Sequence, residues 1–360
     1  MKNLIKYLIL FITILFIFSS CEFYYGKQPK GKIVLISIGA NYAGVDSVNP
    51  LYGTLNDVKM SAAALETLSK KAGKDFYWIP LLQDGYNNEN SPNFATKINL
   101  NNALSYLKGE ENAESPLVIT DPTNFDLEDN LAEYKTEGSK YSEALTLTSN
   151  DILIVQYSGH GFGNSSIPND TRTGDICLLV KNNVTYEIDT VPTVDLFKSF
   201  NQLDCNTLLI LDSCFSGNDI PTSNSTISQD DEEYNSISFA NKISLLLSSN
   251  TVEYNKIFMI TASQVDEESW EQGSSLIKKN GAFTSVLLKG LGWDLEESDL
   301  SSIGSFKGFV PSLNNGEVSV DSMYKYTKDL YNISSNTNGE IFYYNPRVQG
   351  GRQDLVLFQF

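Results

Sequence analysis

The 360-residue chain predicts an α/β sandwich with a mostly parallel central sheet of about six strands and helices on both faces. Two observations point there. Short apolar runs of strand length alternate with segments whose apolar residues recur at helical spacing. Such alternation is the signature of a parallel sheet covered on both sides. And no stretch after the first twenty residues is apolar enough to span a bilayer.

The elements follow in order. Lys32 to Gly39 reads as a first buried strand. Val58, Ala62, Leu65 and Leu68 give Leu55 to Lys70 a helical stripe. Phe76 to Leu82 is a second strand. Ile98, Ala103, Leu104 and Leu107 put a helix over Ala95 to Leu107. Asp151 to Tyr157 is strand three, Val194 to Leu203 a short helix, and Thr207 to Leu211 strand four. A helix is expected over Ser236 to Leu247, a fifth strand over Lys256 to Thr261, and a helix over Ala282 to Leu291. Val318 to Leu330 carries another helical pattern, and Asp354 to Phe358 reads as the closing strand. Three polar stretches read as insertions or loops: Glu110 to Asn150, with a weak helix near Leu131 to Leu147, then Asn218 to Asn235, and Leu295 to Asn315. No internal repeat is present.

The N-terminus reads as an export signal. Lys2 and Lys6 precede the apolar stretch Tyr7 to Phe18, and Ser19-Ser20-Cys21 follows. A cysteine directly after small residues resembles the lipobox of bacterial lipoproteins, which implies that Cys21 is lipidated and becomes the mature N-terminus. The expected organisation is a signal peptide over 1–20, a lipid-anchored linker over 21–30 and one domain over 31–360. The expected location is the surface of the cell membrane or outer membrane.

Formal charge is -18, and losing Lys2 and Lys6 with the signal makes the mature chain more acidic still. Such a surface repels nucleic acid and anionic lipid and tolerates basic protein substrates. Four cysteines are present. With Cys21 lipidated, Cys177, Cys205 and Cys214 remain, an odd number that leaves at least one thiol free outside the cytosol. Cys177 and Cys205 flank apolar segments and read as buried small hydrophobes. A single histidine and no Cys-x-x-Cys pair argue against a zinc site.

That histidine, His160, lies in Tyr157-Ser158-Gly159-His160-Gly161, just past strand three. Cys214 lies in Asp212-Ser213-Cys214-Phe215-Ser216-Gly217, just past strand four. In a parallel sheet the carboxyl ends of the strands share one rim, where ligands bind. A thiol and an imidazole there suggest a cysteine hydrolase. A free thiol is mostly protonated near neutral pH, with a pKa of about 8.5, so the imidazole would take its proton and later return it to the leaving amine. Singly, His160 reads as well as a hydrogen-bonded loop histidine, and Cys214 as a buried small residue. No Gly-x-Ser-x-Gly is present to favour a serine nucleophile.

The two motifs, 54 positions apart, resemble the caspase-like cysteine peptidases, most closely their metacaspase and bacterial caspase-domain branch. The resemblance extends to Ile38-Gly39-Ala40-Asn41-Tyr42, Leu51 to Val58, Ala95-Thr96, Thr261 to Gln264, Gly281 to Thr284, Leu287-Leu288, Asn345-Pro346-Arg347 and Asp354 to Phe358, so that it covers most of 31–360. It implies a caspase-like α/β/α fold with a large-subunit-like part over 31–217, an acidic loop over 218–235 and a small-subunit-like part over 236–360. It implies Cys214 as nucleophile, His160 as general base and acid, and the backbone N–H groups of Gly161 and Cys214 as oxyanion donors. No third residue orienting His160 is legible. A catalytically inactive binding or scaffold lipoprotein on the same fold is the alternative.

By the same resemblance, Asp57, Asp212, Ser158 and Thr54 match the pocket for the residue before the scissile bond, with Thr54 where many metacaspases carry cysteine. Two carboxylates in a partly buried pocket pair with arginine or lysine and repel aspartate. The expected substrates are proteins or peptides basic at the cleavage position. On their own, Asp57 also reads as a helix N-cap or first-turn acid and Asp212 as a strand-end turn residue, but the pocket reading is favoured. Phe215 to Asn241 holds no lysine or arginine, so an enzyme with basic specificity cannot cut itself there. Lys278 and Lys279, before Gly281, offer another position. No cofactor is required by this reading. Calcium stays open: Asp175 resembles one family ligand position, with Glu187, Asp189 and Asp219 as weaker candidates.

Overall fold

The computed structural model describes residues 31–45, 48–83, 91–124, 145–162, 175–182, 185–213, 256–262, 271–272, 280–294, 304–331, 334–335, 341–342, 346–350 and 354–360. Chain order runs β1 (Ile33–Ala40), α1 (Thr54–Lys71), β2 (Phe76–Gln83), α2 (Lys97–Lys108), β3 (Ile152–Ser158), β4 (Ile176–Asn182), β5 (Thr185–Val191), α3 (Thr193–Asn201), β6 (Asn206–Asp212), β7 (Ile257–Thr261), β8 (Glu271–Gln272), β9 (Asn280–Gly281), α4 (Ala282–Gly290), β10 (Glu317–Ser319), α5 (Val320–Tyr331), β11 (Arg347–Gly350) and β12 (Val356–Gln359).

The central sheet has six strands in the order β11-β7-β6-β3-β1-β2. Five are parallel, and β11 pairs antiparallel with β7 at one edge. This is the expected sandwich, because alternate residues of each strand enter opposite cores. Ile33, Leu35, Ile154, Leu208 and Ile210 pack with Val58, Ala62 and Leu65 of α1, Phe283 and Leu287 of α4 and Met323 of α5. Val34, Ile36, Val155, Leu209 and Leu211 pack with Leu100, Ala103 and Leu104 of α2 and Phe197 and Phe200 of α3. Each such fully buried aliphatic side chain contributes about 1.5–3 kcal/mol, which fixes the strand order and aligns the carboxyl ends. At the opposite rim, Asp151 accepts from the Lys32 backbone N–H and ammonium, both at 2.8 Å, and from Thr148.

Two features differ from the sequence expectation. Val356–Gln359, which overlaps the expected closing strand Asp354 to Phe358, lies outside the central sheet and pairs antiparallel with β10. The sheet closes instead on Arg347–Gly350. That segment, Arg-Val-Gln-Gly, has no apolar run to announce it, because an edge strand needs burial on fewer sides and is often short and polar. The hairpin of β4 and β5 was not anticipated. The expected helices near Leu131 and over Ser236 to Leu247, the loop over 218–235, residues 1–30, Cys21 and Cys214 lie outside the described residues, apart from Leu145 to Leu147, which is irregular. No described helix is long and apolar enough to cross a membrane.

Candidate active site

The ends of β3 and β6 stand side by side. Ser158 is directly opposite Asp212 in the parallel ladder, and the Gly159 N–H donates to the Asp212 carbonyl at 3.3 Å. His160 is two residues beyond Ser158, and Cys214 is two residues beyond Asp212. Both motifs therefore leave the sheet at one rim and from neighbouring strands. Cys214 itself lies outside the described residues. Its predecessor Ser213 is buried.

His160 is held on three sides. Its backbone N–H donates to the Tyr42 hydroxyl at 3.0 Å. Its carbonyl accepts from the Tyr157 hydroxyl at 2.5 Å and from the Cys177 N–H at 3.2 Å. Its Nε2 lies 2.7 Å from the Asn49 carbonyl oxygen. A carbonyl only accepts, so this contact assigns a proton to Nε2, and in the Nε2–H tautomer Nδ1 is the acceptor. The ring also lies against Tyr42, with centroids 4.6 Å apart. Burial pushes the Tyr157 hydroxyl well above its usual pKa, reinforced by neighbouring Tyr42, so it remains a neutral donor. A Cβ at position 159 would lie 2.5 Å from Tyr157 Oη and 2.7 Å from Tyr42 Oη, which is why glycine precedes the histidine. Gly161 bridges to Ile176. The flanking bonds, Phe162 N–H to Asp175 carbonyl and Cys177 N–H to His160 carbonyl, do not use the Gly161 N–H.

Below this rim, Asp57, Ser158 and Asp212 come together, and Thr54 is buried with them, at 1, 3, 5 and 2 % exposure. The Ser158 hydroxyl donates to Asp57 Oδ2 at 2.7 Å. The Gly281 N–H donates to both Asp57 oxygens, at 2.9 and 3.1 Å. Asp212 Oδ2 accepts from the Thr284 N–H at 3.1 Å and from its hydroxyl at 2.7 Å. Helix α4 begins at Ala282 with Gly281 as N-cap and no capping side chain of its own. The two aspartates supply from other elements the acceptors that its first N–H groups need. Burial holds the Asp57 carboxyl well above the usual range, reinforced by the Asp212 carboxylate. Asp57 has no ion-pair partner among the described residues. The Thr54 hydroxyl, one helical turn earlier, is buried without a hydrogen-bond partner among them. Glu271, opposite Gly281 in the β8–β9 ladder, accepts from the Gly53 N–H at the start of α1.

A caspase-domain profile matches residues 31–306. The chain belongs to the caspase-domain family. A similar solved structure is that of caspase-1 from Spodoptera frugiperda, at TM-score 0.41 and 10 % identity, covering 92 % of this chain and 91 % of that one. No curated protein sequence matches.

Within this caspase domain, sequence reasoning missed Tyr42, Asn49, Glu271 and the role of Thr284. Asn49 acts through its main chain, so its side-chain identity carries no signal. Tyr42 and Thr284 stood inside segments that resemble the family, yet only the fold reveals what their hydroxyls touch. Cys177 and Cys205 are buried, and burial pushes the Cys205 thiol up to about 11, which leaves it inert as a nucleophile. Of the acids named for calcium, three lie among the described residues. Asp175 is buried at the start of β4, Glu187 is exposed, and Asp189 faces Lys97 at 3.9 Å. Asp219 lies outside the described residues. Among the described residues no group of three His, Cys, Asp or Glu could hold a metal ion.

Proposed function

We propose that the protein is a cysteine endopeptidase that cleaves after arginine or lysine, with Cys214 as nucleophile and His160 as general base and acid. The observation that carries this reading is the register of β3 and β6, which starts both motifs from adjacent strand ends. His160 Nδ1 takes the proton of the Cys214 thiol. The thiolate sulfur bonds to the carbonyl carbon, and the C=O π pair moves to oxygen, where the backbone N–H groups of Gly161 and Cys214 receive it. Losing such a donor typically costs about 3–4 kcal/mol of barrier. Collapse breaks the C–N bond, and His160 returns the proton to the departing amine. Water, deprotonated by the same imidazole, then hydrolyses the thioester.

The basic preference is supported by Asp57 and Asp212 on either side of Gly281. An incoming guanidinium or ammonium would convert a costly pair of buried like charges into a compensated cluster. An aspartate side chain would add a third carboxylate. The export reading belongs to the same proposal: Cys21 carries the lipid, and the enzyme works from a membrane surface outside the cytoplasm.

Fluorogenic peptides differing only in Arg, Lys or Asp before the scissile bond test the specificity. Turnover of the Arg and Lys peptides is expected, and turnover of the Asp peptide alone would overturn it. For the anchor, Cys21→Ser should move the protein from the membrane to the soluble fraction. Unchanged partition would remove the lipoprotein reading.

A further inference from the structure

We propose that Tyr42 is the positioning residue that holds His160 in its reactive tautomer and orientation. The proposal rests on His160 being the general base.

Tyr42 stands two residues beyond β1 and is fully buried. Its φ is 55°, a left-handed conformation that non-glycine residues rarely adopt and that persists only where surroundings enforce it. Here they do. The Tyr42 N–H donates to Gln83 Oε1 at 2.5 Å, and the ring packs in a small cluster with Val45, Phe94, Cys177 and Leu179. The strained backbone aims the hydroxyl at one point, where four groups meet. Tyr42 Oη lies 3.0 Å from the His160 N–H, 2.7 Å from the Cys177 carbonyl and 2.8 Å from Tyr157 Oη. The ring of the same residue lies against the imidazole.

The other restraint on that imidazole, the Asn49 carbonyl, comes from the same connection between β1 and α1. That connection is closed on itself by the Leu51 N–H donating to the Asn41 carbonyl at 2.9 Å. One loop therefore supplies both the face against which the ring lies and the acceptor that fixes the proton on Nε2. Tyr42 ties this loop to the β3 end and to β4 through a single oxygen. An aromatic face also favours the imidazolium that forms during turnover. Without the hydroxyl, the His160 N–H loses its acceptor in a half-buried site, and the peptide that sets the ring direction is released. Small misplacements of a general base are costly, on the order of 100-fold per ångström.

The chain has one histidine, so the imidazole nitrogens of the tag-free, full-length protein in detergent micelles give one pair of nitrogen NMR resonances. Wild type is expected to show the Nε2–H tautomer. Tyr42→Phe, which keeps the ring, should show a mixture of tautomers, and kcat should fall about 10–100-fold with KM within about twofold. Lys32→Met, at the far rim of the sheet, serves as a control for general loosening and should change neither reading. A wild-type Nδ1–H tautomer would overturn the proposal even if Tyr42→Phe failed to fold. So would a Tyr42→Phe protein with wild-type tautomer and kcat. His160→Ala separates the two ideas. Full cleavage by that variant would remove the peptidase mechanism itself, whereas an inactive His160→Ala beside a wild-type-like Tyr42→Phe would remove only the positioning role.

Discussion

The Gly281 N–H donates to both carboxylate oxygens of Asp57, a residue 224 positions earlier in the chain. Through this contact, and through Asp212 on Thr284, the start of α4 is seated directly on two buried aspartates. A Cβ at position 281 would lie 2.0 Å from Asp212 Oδ2 and 3.0 Å from Asp57 Oδ2. Gly281→Ala must therefore push α4 off both aspartates. The expected cost is about 1–3 kcal/mol of stability with a loss of turnover on basic peptides, read by thermal melting and kcat/KM. An alanine variant with wild-type melting and activity would contradict the arrangement.

Asp57 should be a liability to the fold at neutral pH. Its folded pKa is raised by burial and by Asp212, so the native state holds the proton more tightly than the unfolded chain. Between the usual carboxylate value and the raised one, the native state binds more protons, and stability falls as pH rises through that window. Asp57→Asn carries no charge at any pH. Its melting temperature should exceed that of wild type at pH 8, with the gap closing toward pH 4, while cleavage after Arg and Lys is lost. A variant less stable than wild type at pH 8 would contradict the burial of that charge.

If Asp212 and Ser158 line the proposed specificity pocket, their effects should grade by charge. Asp212→Asn removes a buried carboxylate that would face a cationic side chain, and kcat/KM for basic peptides should fall about 100-fold or more, since breaking such a pair costs on the order of 2–5 kcal/mol. Ser158→Ala removes only a neutral donor to Asp57, worth about 0.5–1.5 kcal/mol, and a fall nearer tenfold is expected. Equal effects in steady-state assays would argue against a charge-based pocket.

Self-processing should avoid the segment after the nucleophile motif, because Phe215 to Asn241 contains no lysine or arginine. The active protein is expected as one uncut chain, or cut elsewhere, as after Lys278 or Lys279. N-terminal sequencing of an autolysis fragment beginning between Ser216 and Lys242 would contradict basic specificity.

The fold was legible where burial writes itself into composition. β1, β3, β6 and β7 are covered on both faces, so their sequences are apolar runs whatever their neighbours. Helices α1 and α2 show their stripes because one face meets the sheet. Arg347–Gly350 was not legible, because an edge strand needs no such run, and Val356–Gln359 looked like its replacement. Of the candidate site, His160, Asp57 and Asp212 were legible as side chains in recognisable motifs; Cys214 lies outside the described residues. The site was opaque where main-chain atoms or distant hydroxyls act. The Asn49 carbonyl and the Gly281 N–H have no side-chain signature, and Tyr42 reaches His160 across 118 positions.

The most direct measurement is cleavage-site profiling of a diverse peptide library by mass spectrometry, with the full-length protein and its Cys214→Ala variant side by side. The account predicts that new termini follow arginine or lysine and that the alanine variant produces none. Cleavage by the Cys214→Ala protein, or cuts by the wild type that ignore basic residues, would contradict it.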